Sequence, residues 1–301
     1  MTFNPELDIS NKKRGIGRLA PVRKITTYEA KQEALHMLRS GQVRAKTKLR
    51  SVLMLLGTTG VLLEEQLLDL TGVSERTLRR YRQKSLLDVV PTPVKLTNLF
   101  SEECRIWTLG PIGTALAEML QGQGLIPTGY LSSKLDRATH DVLCSLVYYH
   151  IYCAAKQKGY TAILKSKYEA TIHNRKGQPV LEPDAMVILR HKEKSDRLFT
   201  IEYHNEDFAS RAAEKVRKYE DIYQDGLYRQ WHTKKMPPIL IITTHRTVAV
   251  GYKEVIDTRL TGAGIRCTYL IKPLRTFLDN TQSPLTWLNL ATNQTINLLK
   301  L

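Results

Sequence analysis

The chain has 301 residues and carries 45 Lys and Arg against 29 Asp and Glu, a formal charge of +16. That length accommodates two domains with a core each, and so large a positive surplus suits a nucleic-acid partner better than an anionic membrane surface. No apolar run reaches the roughly 20 residues of a membrane span, residues 1–10 lack the apolar centre of a signal peptide, and Cys104, Cys144, Cys153 and Cys267 form no Cys-x-x-Cys pair, so a cytoplasmic protein with reduced thiols and neither zinc knuckle nor disulfide framework is expected.

Basic residues crowd the first part of the chain. Residues 12–50 hold twelve Lys and Arg, among them Lys46, Lys48 and Arg50, against Glu29 and Glu33 only, a local excess of +10. Residues 1–48 read as a basic arm and a leading helix, the helix over 27–39 with Tyr28, Leu35 and Leu38 inward. Such an arm is either a solvated charged tail or a phosphate-binding segment that gains affinity by releasing counterions from DNA.

Residues 49–122 read as a unit. Leu49, Val52, Leu53, Leu55 and Leu56 fall at helical spacing until Gly57–Gly60, which reads as a break, and a second helix spans about 63–70. Thr71-Gly72-Val73 makes a turn, and Ser74 caps a third helix through about Lys84. That order resembles a helix-turn-helix, and the third helix carries Arg76, Arg79, Arg80, Arg82 and Lys84, the charges expected of a helix that enters the major groove. Two strands, 86–90 and 105–109, around a loop with Pro91 and Pro93 extend the pattern to a winged helix, and a helix over 112–120 closes it before the Gly-rich stretch 122–129.

Residues 131–301 read as an α/β unit. A long amphipathic helix over 140–156 puts Val142, Leu143, Leu146, Val147 and Ile151 on one face, with His140 in its first turn as a capping or surface residue and Cys144 and Cys153 packed. A short strand over 160–164 and a basic loop over 165–176 lead to two strands around a charged turn at 190–197. Asp184 opens the first of these, and Glu202 and His204, two apart on the second, share a face. A helix over 211–223 bearing Lys215, a doubly buried strand over 239–243, a helix over 247–258 and a strand over 265–271 follow. The tail to Leu301 shows no readable motif.

Several short motifs recur in a set order: Trp107-Thr108-Leu109-Gly110-Pro111-Ile112-Gly113, His140-Asp141, Glu182-Pro183-Asp184, Ile201-Glu202-Tyr203 and Pro237-Pro238-Ile239-Leu240-Ile241-Ile242-Thr243-Thr244. Together they resemble the replication-relaxation family of plasmids and other mobile elements. The resemblance implies a DNA-binding protein that serves replication, transfer or control of such an element, with double-stranded DNA and replication or transfer proteins as partners and a homodimer as one oligomeric option. The second half is also similar to the PD-(D/E)XK nuclease core, whose helix, three strands, helix and strand fit residues 139–243. The fold class expected is therefore α/β, a winged helix-turn-helix followed by a nuclease-like mixed sheet. In that core an Asp and a Glu hold magnesium, which Asp184 and Glu202 match, and a Lys two positions after the Glu helps activate water. His204 stands at the Lys position, and Lys215 on the next helix is the residue that could replace it. A metal-dependent nuclease or nickase and a winged-helix transcription regulator are the rival functions.

Overall fold

The computed structural model describes residues 24–93, 96, 104–130, 135–204, 209–262, 264–279 and 282–301. The arm up to Arg23, most of the loop between the two short strands of the basic unit, the start of the second unit at Leu131 and Phe208 lie outside the described residues. Among the described residues no helix is long and apolar enough to cross a membrane.

The N-terminal part consists of α1 (Thr27–Arg39), α2 (Lys48–Thr59), β1 (Val61–Leu63), α3 (Glu64–Thr71), α4 (Glu75–Gln83), β2 (Leu87–Val90), β3 (Ile106–Leu109) and α5 (Pro111–Gln121). The three strands form an antiparallel sheet in the order β1-β3-β2. Thr26 closes a capping box with Glu29 at the start of α1, and Thr47 and Ser74 accept backbone N–H bonds at the starts of α2 and α4, satisfying donors that the helices leave open. Gly72 at φ 63° ends α3, because the left-handed conformation there costs a residue without Cβ nothing.

Gly57 does not break α2, contrary to what the sequence suggests. The helix runs on to Thr59, and the missing Cβ lets it approach α5, where a Cβ would meet Gln121 Oε1 at 2.6 Å. The chain then turns at Gly60 into β1, which is too short to show a period of its own.

The larger part runs α6 (Leu135–Gln157), β4 (Thr161–Ser166), α7 (Lys167–Ala170), β5 (Ile172–His173), β6 (Pro179–Leu181), β7 (Ala185–His191), β8 (Lys194–His204), α8 (Ser210–Gln224), β9 (Ile239–Thr243), α9 (Arg246–Thr261), β10 (Tyr269–Pro273), α10 (Arg275–Leu278), β11 (Thr286–Asn289) and β12 (Thr295–Asn297). Seven strands make one mixed sheet in the order β12-β11-β10-β9-β8-β7-β4, with β8, β9 and β10 parallel and the outer pairs antiparallel. The stretch read as a basic loop holds α7 and β5, which pairs with β6 just beyond it, and the tail read as motif-free supplies β11 and β12. The protein is thus α/β with a large mixed sheet.

Strand alternation distributes the core. Ala185, Val187, Leu189, Phe199, Ile201, Leu240 and Ile242 pack against Val142, Leu146, Val147 and Ile151 of α6. On the opposite face Met186, Ile239 and Ile241 pack against Val216 and Tyr219 of α8 and Val248, Tyr252 and Ile256 of α9. Val61, Leu63, Val90 and Ile106 of the small sheet belong to the α6 core as well, so the two sheets share one apolar layer. The Gly-rich connector is packed too: Ile126 is buried, and Ser166 Oγ donates to Leu125 O at 3.2 Å.

Candidate functional site

Two regions concentrate chemistry. The first lies where β7, β8, α6 and α8 meet. Glu202 points under α8 and is wholly enclosed, at 0% exposure. Its Oε1 accepts a 2.7 Å hydrogen bond from the Tyr219 hydroxyl, and its Oε2 lies 2.6 Å from Lys215 Nζ. Lys215 and Tyr219 are four apart on α8 and so share a face. Lys215 also donates to Glu182 O at 3.3 Å, which ties the helix to the segment just before Asp184. Asp184 precedes β7 by one residue. Its N–H donates to Ile201 O at 3.0 Å, and its Oδ2 accepts the Tyr203 N–H at 2.7 Å, so the β7–β8 ladder itself fixes the carboxylate.

The two carboxyls are driven apart in acidity. Burial pushes Glu202 up to about 7; the Asp184 charge adds to that rise, and Lys215 and Tyr219 restrain it. Burial works against the Asp184 charge as well, but His140, Lys215 and the Tyr203 N–H outweigh it and hold that carboxyl at about 2. Lys215 is desolvated, yet Glu202 and Asp184 keep its ammonium above the ordinary range. An ionised Asp beside a Glu that titrates near neutrality is the kind of split that lets one carboxylate hold charge while its neighbour exchanges a proton.

The fourth residue expected here, His204, is not part of this arrangement. It is buried at the end of β8, where its Nε2 is hydrogen-bonded to the Tyr252 hydroxyl of α9 at 2.8 Å. Lys215 supplies the cation at Glu202 instead. His140, which the sequence suggests as a cap, stands five residues into α6, because the helix starts at Leu135. Its Nε2 lies 3.5 Å from Asp184 Oδ1 and its Nδ1 3.1 Å from Asp141 Oδ1. Burial opposes its charge, but Cys144, Asp184 and Asp141 raise its pKa well above the ordinary value. The spacing of His140 and Cys144, four apart on a helix, was the signal available in the sequence.

The second region is the surface of α4. Leu78 is the buried residue of this helix, and Arg76, Arg79, Arg80 and Lys84 at its end are exposed. Arg79 forms an i,i+4 ion pair with Glu75 at 3.4 Å and 50% side-chain exposure, a weak tether that leaves it accessible. Arg82 is differently placed: its Nε lies 3.1 Å from Asp88 Oδ1 on β2, both side chains 15% exposed, so it fastens α4 to the sheet and does not stand with the exposed arginines. Lys46 is exposed and Arg50 half-buried. Lys48 donates to Gly72 O at the end of α3, next to a groove of about 260 Å³ into which Arg80 and Lys84 also look.

The family model for replication-relaxation matches residues 53–239. The chain belongs to the replication-relaxation family. The matched segment takes in α4 with its arginines, His140, Asp184, Glu202 and Lys215, and stops as β9 begins. No curated protein and no solved structure matches the chain. Membership in this family points to a role in the replication of mobile elements.

Proposed function

We propose that the protein binds double-stranded DNA of a mobile element through α4, in the service of that element's replication, transfer or control. The observation that carries this reading is a short helix held to its domain by buried Leu78, half-buried Tyr81 and Arg82, with Arg76, Arg79 and Arg80 and the capping Lys84 left exposed. The order α2–β1–α3–α4–β2–β3 and the strand order β1-β3-β2 support a winged helix-turn-helix reading, in which α4 would be the helix that enters the major groove. Lys46, Lys48 and Arg50 at the start of α2 add phosphate contacts, and the charge of +16 extends the attraction beyond one helix.

A mobility-shift titration across salt tests this. Each phosphate that is no longer neutralised lowers the slope of log affinity against log salt by about 0.9. Changing Arg76, Arg79 and Arg80 together to Ala should weaken binding strongly and flatten that slope. Unchanged affinity and slope would take α4 out of the interface.

A second reading is favoured by Lys215. Leaving aside α7 and the β5-β6 ribbon, the order α6, β4, β7, β8, α8, β9 supports the likeness to a PD-(D/E)XK nuclease core, and Lys215 of α8 stands beside Glu202 where the usual lysine is absent. The donor set fits magnesium in kind, since Asp184 and Glu202 offer hard oxygens, and a bound ion would supply charge to polarise a scissile phosphate. Glu202 already has a cation in Lys215, so metal binding there requires the ammonium to withdraw. Magnesium-dependent nicking of supercoiled plasmid, lost in both Asp184→Ala and Glu202→Ala, is the result this reading expects. Nicking absent in the wild type, or retained in the variants, removes it.

A further inference from the structure

The hard-oxygen position between Asp184 and Glu202 is crowded by protein groups, whereas the other side of Asp184 faces a different donor set. We infer that His140, Cys144 and Asp184 form a binding site for a borderline-soft divalent metal, zinc being the best match. One ring nitrogen of His140, the Cys144 sulfur and one Asp184 oxygen all lie within 4.8 Å of one another. His140 Nε2 lies 3.5 Å from Asp184 Oδ1, while Cys144 Sγ lies 3.7 Å from the other ring nitrogen, Nδ1, so the sulfur has to shift towards Nε2 for one ion to take all three donors. With zinc–nitrogen and zinc–oxygen bonds near 2.0–2.1 Å and zinc–sulfur near 2.3 Å, the donors of a tetrahedral site stand about 3.3–3.6 Å apart. Donors no more than 4.8 Å apart would therefore have to close by at most about 1–1.5 Å to hold one ion.

The scaffold already holds these donors. His140 and Cys144 lie one turn apart on the same face of α6, and Asp184 is pinned by the Tyr203 N–H. Asp141 engages His140 Nδ1 at 3.1 Å, as second carboxylates do for metal-binding histidines, and this turns Nε2 towards Asp184 as the donor. A neutral imidazole, a thiolate and a carboxylate bring two negative charges to a dication, and sulfur with imidazole selects zinc over magnesium. A cavity of about 30 Å³ adjoins Cys144 and Asp184 and is lined also by Asp141, Ser145, Ser166 and Lys167. One water fits there. Three protein donors with a fourth position open to water is the arrangement of zinc sites that do chemistry, as opposed to the closed four-donor sites that only brace a fold. The site does not depend on DNA binding by α4.

The test is a cobalt titration of the metal-stripped full chain. One equivalent of cobalt(II) should bind with a thiolate-to-cobalt charge-transfer band and the visible bands of a tetrahedral ion; zinc should displace it, and excess magnesium should not. Cys144→Ser should abolish the charge-transfer band. His140→Gln and Asp184→Asn should weaken cobalt binding more than about a hundredfold, since even supporting residues of such sites are worth ten- to a hundredfold. Circular dichroism of each variant confirms its fold, and His140→Gln carries the test if Cys144→Ser unfolds. A wild-type chain without the band, a band that survives Cys144→Ser, or displacement by magnesium would each overturn the inference, while the mobility-shift result stands apart from all three.

Discussion

Replacing Lys215 with Ala isolates the electrostatics of the carboxylate pair, because it removes the cation 2.6 Å from a fully enclosed Glu202. In the wild type the Glu202 carboxyl stands at about 7 against an ordinary 4.5. The folded chain therefore favours its protonated form; that stabilisation is complete below pH 4.5 and is lost as pH rises through 7, above which Glu202 ionises against Lys215 and the loss stops. Without Lys215 the carboxyl stays protonated past pH 7, and every further pH unit costs about 1.4 kcal/mol. The variant should match the wild type apart from a fixed offset at pH 6, then fall behind by about 1.4 kcal/mol more at pH 8 and about 2.7 kcal/mol more at pH 9. With an unfolding entropy of about 2.1 cal/mol/K per residue over 301 residues, these amounts correspond to about 2 and 4 °C in Tm. Thermal melts of wild type and Lys215→Ala from pH 5 to 9 measure this directly. Glu202→Gln in both backgrounds should erase the pH-dependent difference. Parallel curves, offset equally at pH 6 and pH 9, would refute the reasoning, since they would mean that Glu202 does not titrate against Lys215.

Arg82→Ala should lower Tm with a loss of about 1–3 kcal/mol, because it strands the half-buried Asp88, and should leave the salt slope of DNA binding unchanged; a fall in slope equal to that of Arg79→Ala would put Arg82 at the phosphates. Gly113→Ala should cost about 1–3 kcal/mol or more, since the added Cβ would sit 1.9 Å from Leu86 O at the start of α5, and an unchanged Tm would show that this approach relaxes freely. Removing residues 1–25 should reduce affinity for all DNA sequences alike; loss of discrimination between a preferred site and random DNA would make the arm a reader of bases.

Much of the fold was legible because its elements carry strong local periods. The apolar stripe of α2, the unbroken Ile239–Ile242 run of β9 and the alternation around the β7–β8 turn each announce an element from a few side chains. What escaped lacks such a period. β1 is three residues long, and Gly57 looks like a helix breaker although its place is set by the approach of α5, a tertiary contact. The face shared by Glu202 and His204 followed from strand alternation, but which helix covers each of them did not. α8 brings Lys215 and Tyr219 to Glu202 while α9 brings Tyr252 to His204, and helix placement over a sheet is decided by the whole core. His140 escapes for a simpler reason: the helix begins at Leu135, five residues before the start expected at 140, so a residue that looks like a cap lies inside.

The helix that carries His140 also sets how the two regions of chemistry relate. Ser145 Oγ of α6 donates to Val61 O of β1 at 3.0 Å, and the Tyr149 hydroxyl donates to Asp69 of α3 at 2.9 Å. Val61, Leu63 and Ile106 share a core with Val142 and Leu146, so the seam between the small sheet and the large one is apolar, with one hydrogen bond to buried backbone and one to the Asp69 carboxylate at its edge. Two domains joined only by a tether would sample many separations between α4 and Asp184; a continuous core with α6 as its common wall permits few. Arg105, just before β3, and Trp107 within it both donate to Glu64 at the start of α3, at 3.1 and 2.8 Å, and thereby brace the helix pair that positions α4. If α4 binds a duplex as proposed, that continuous core fixes where the duplex lies relative to Asp184 and the His140–Cys144 turn, so a change at one region leaves their separation unaltered.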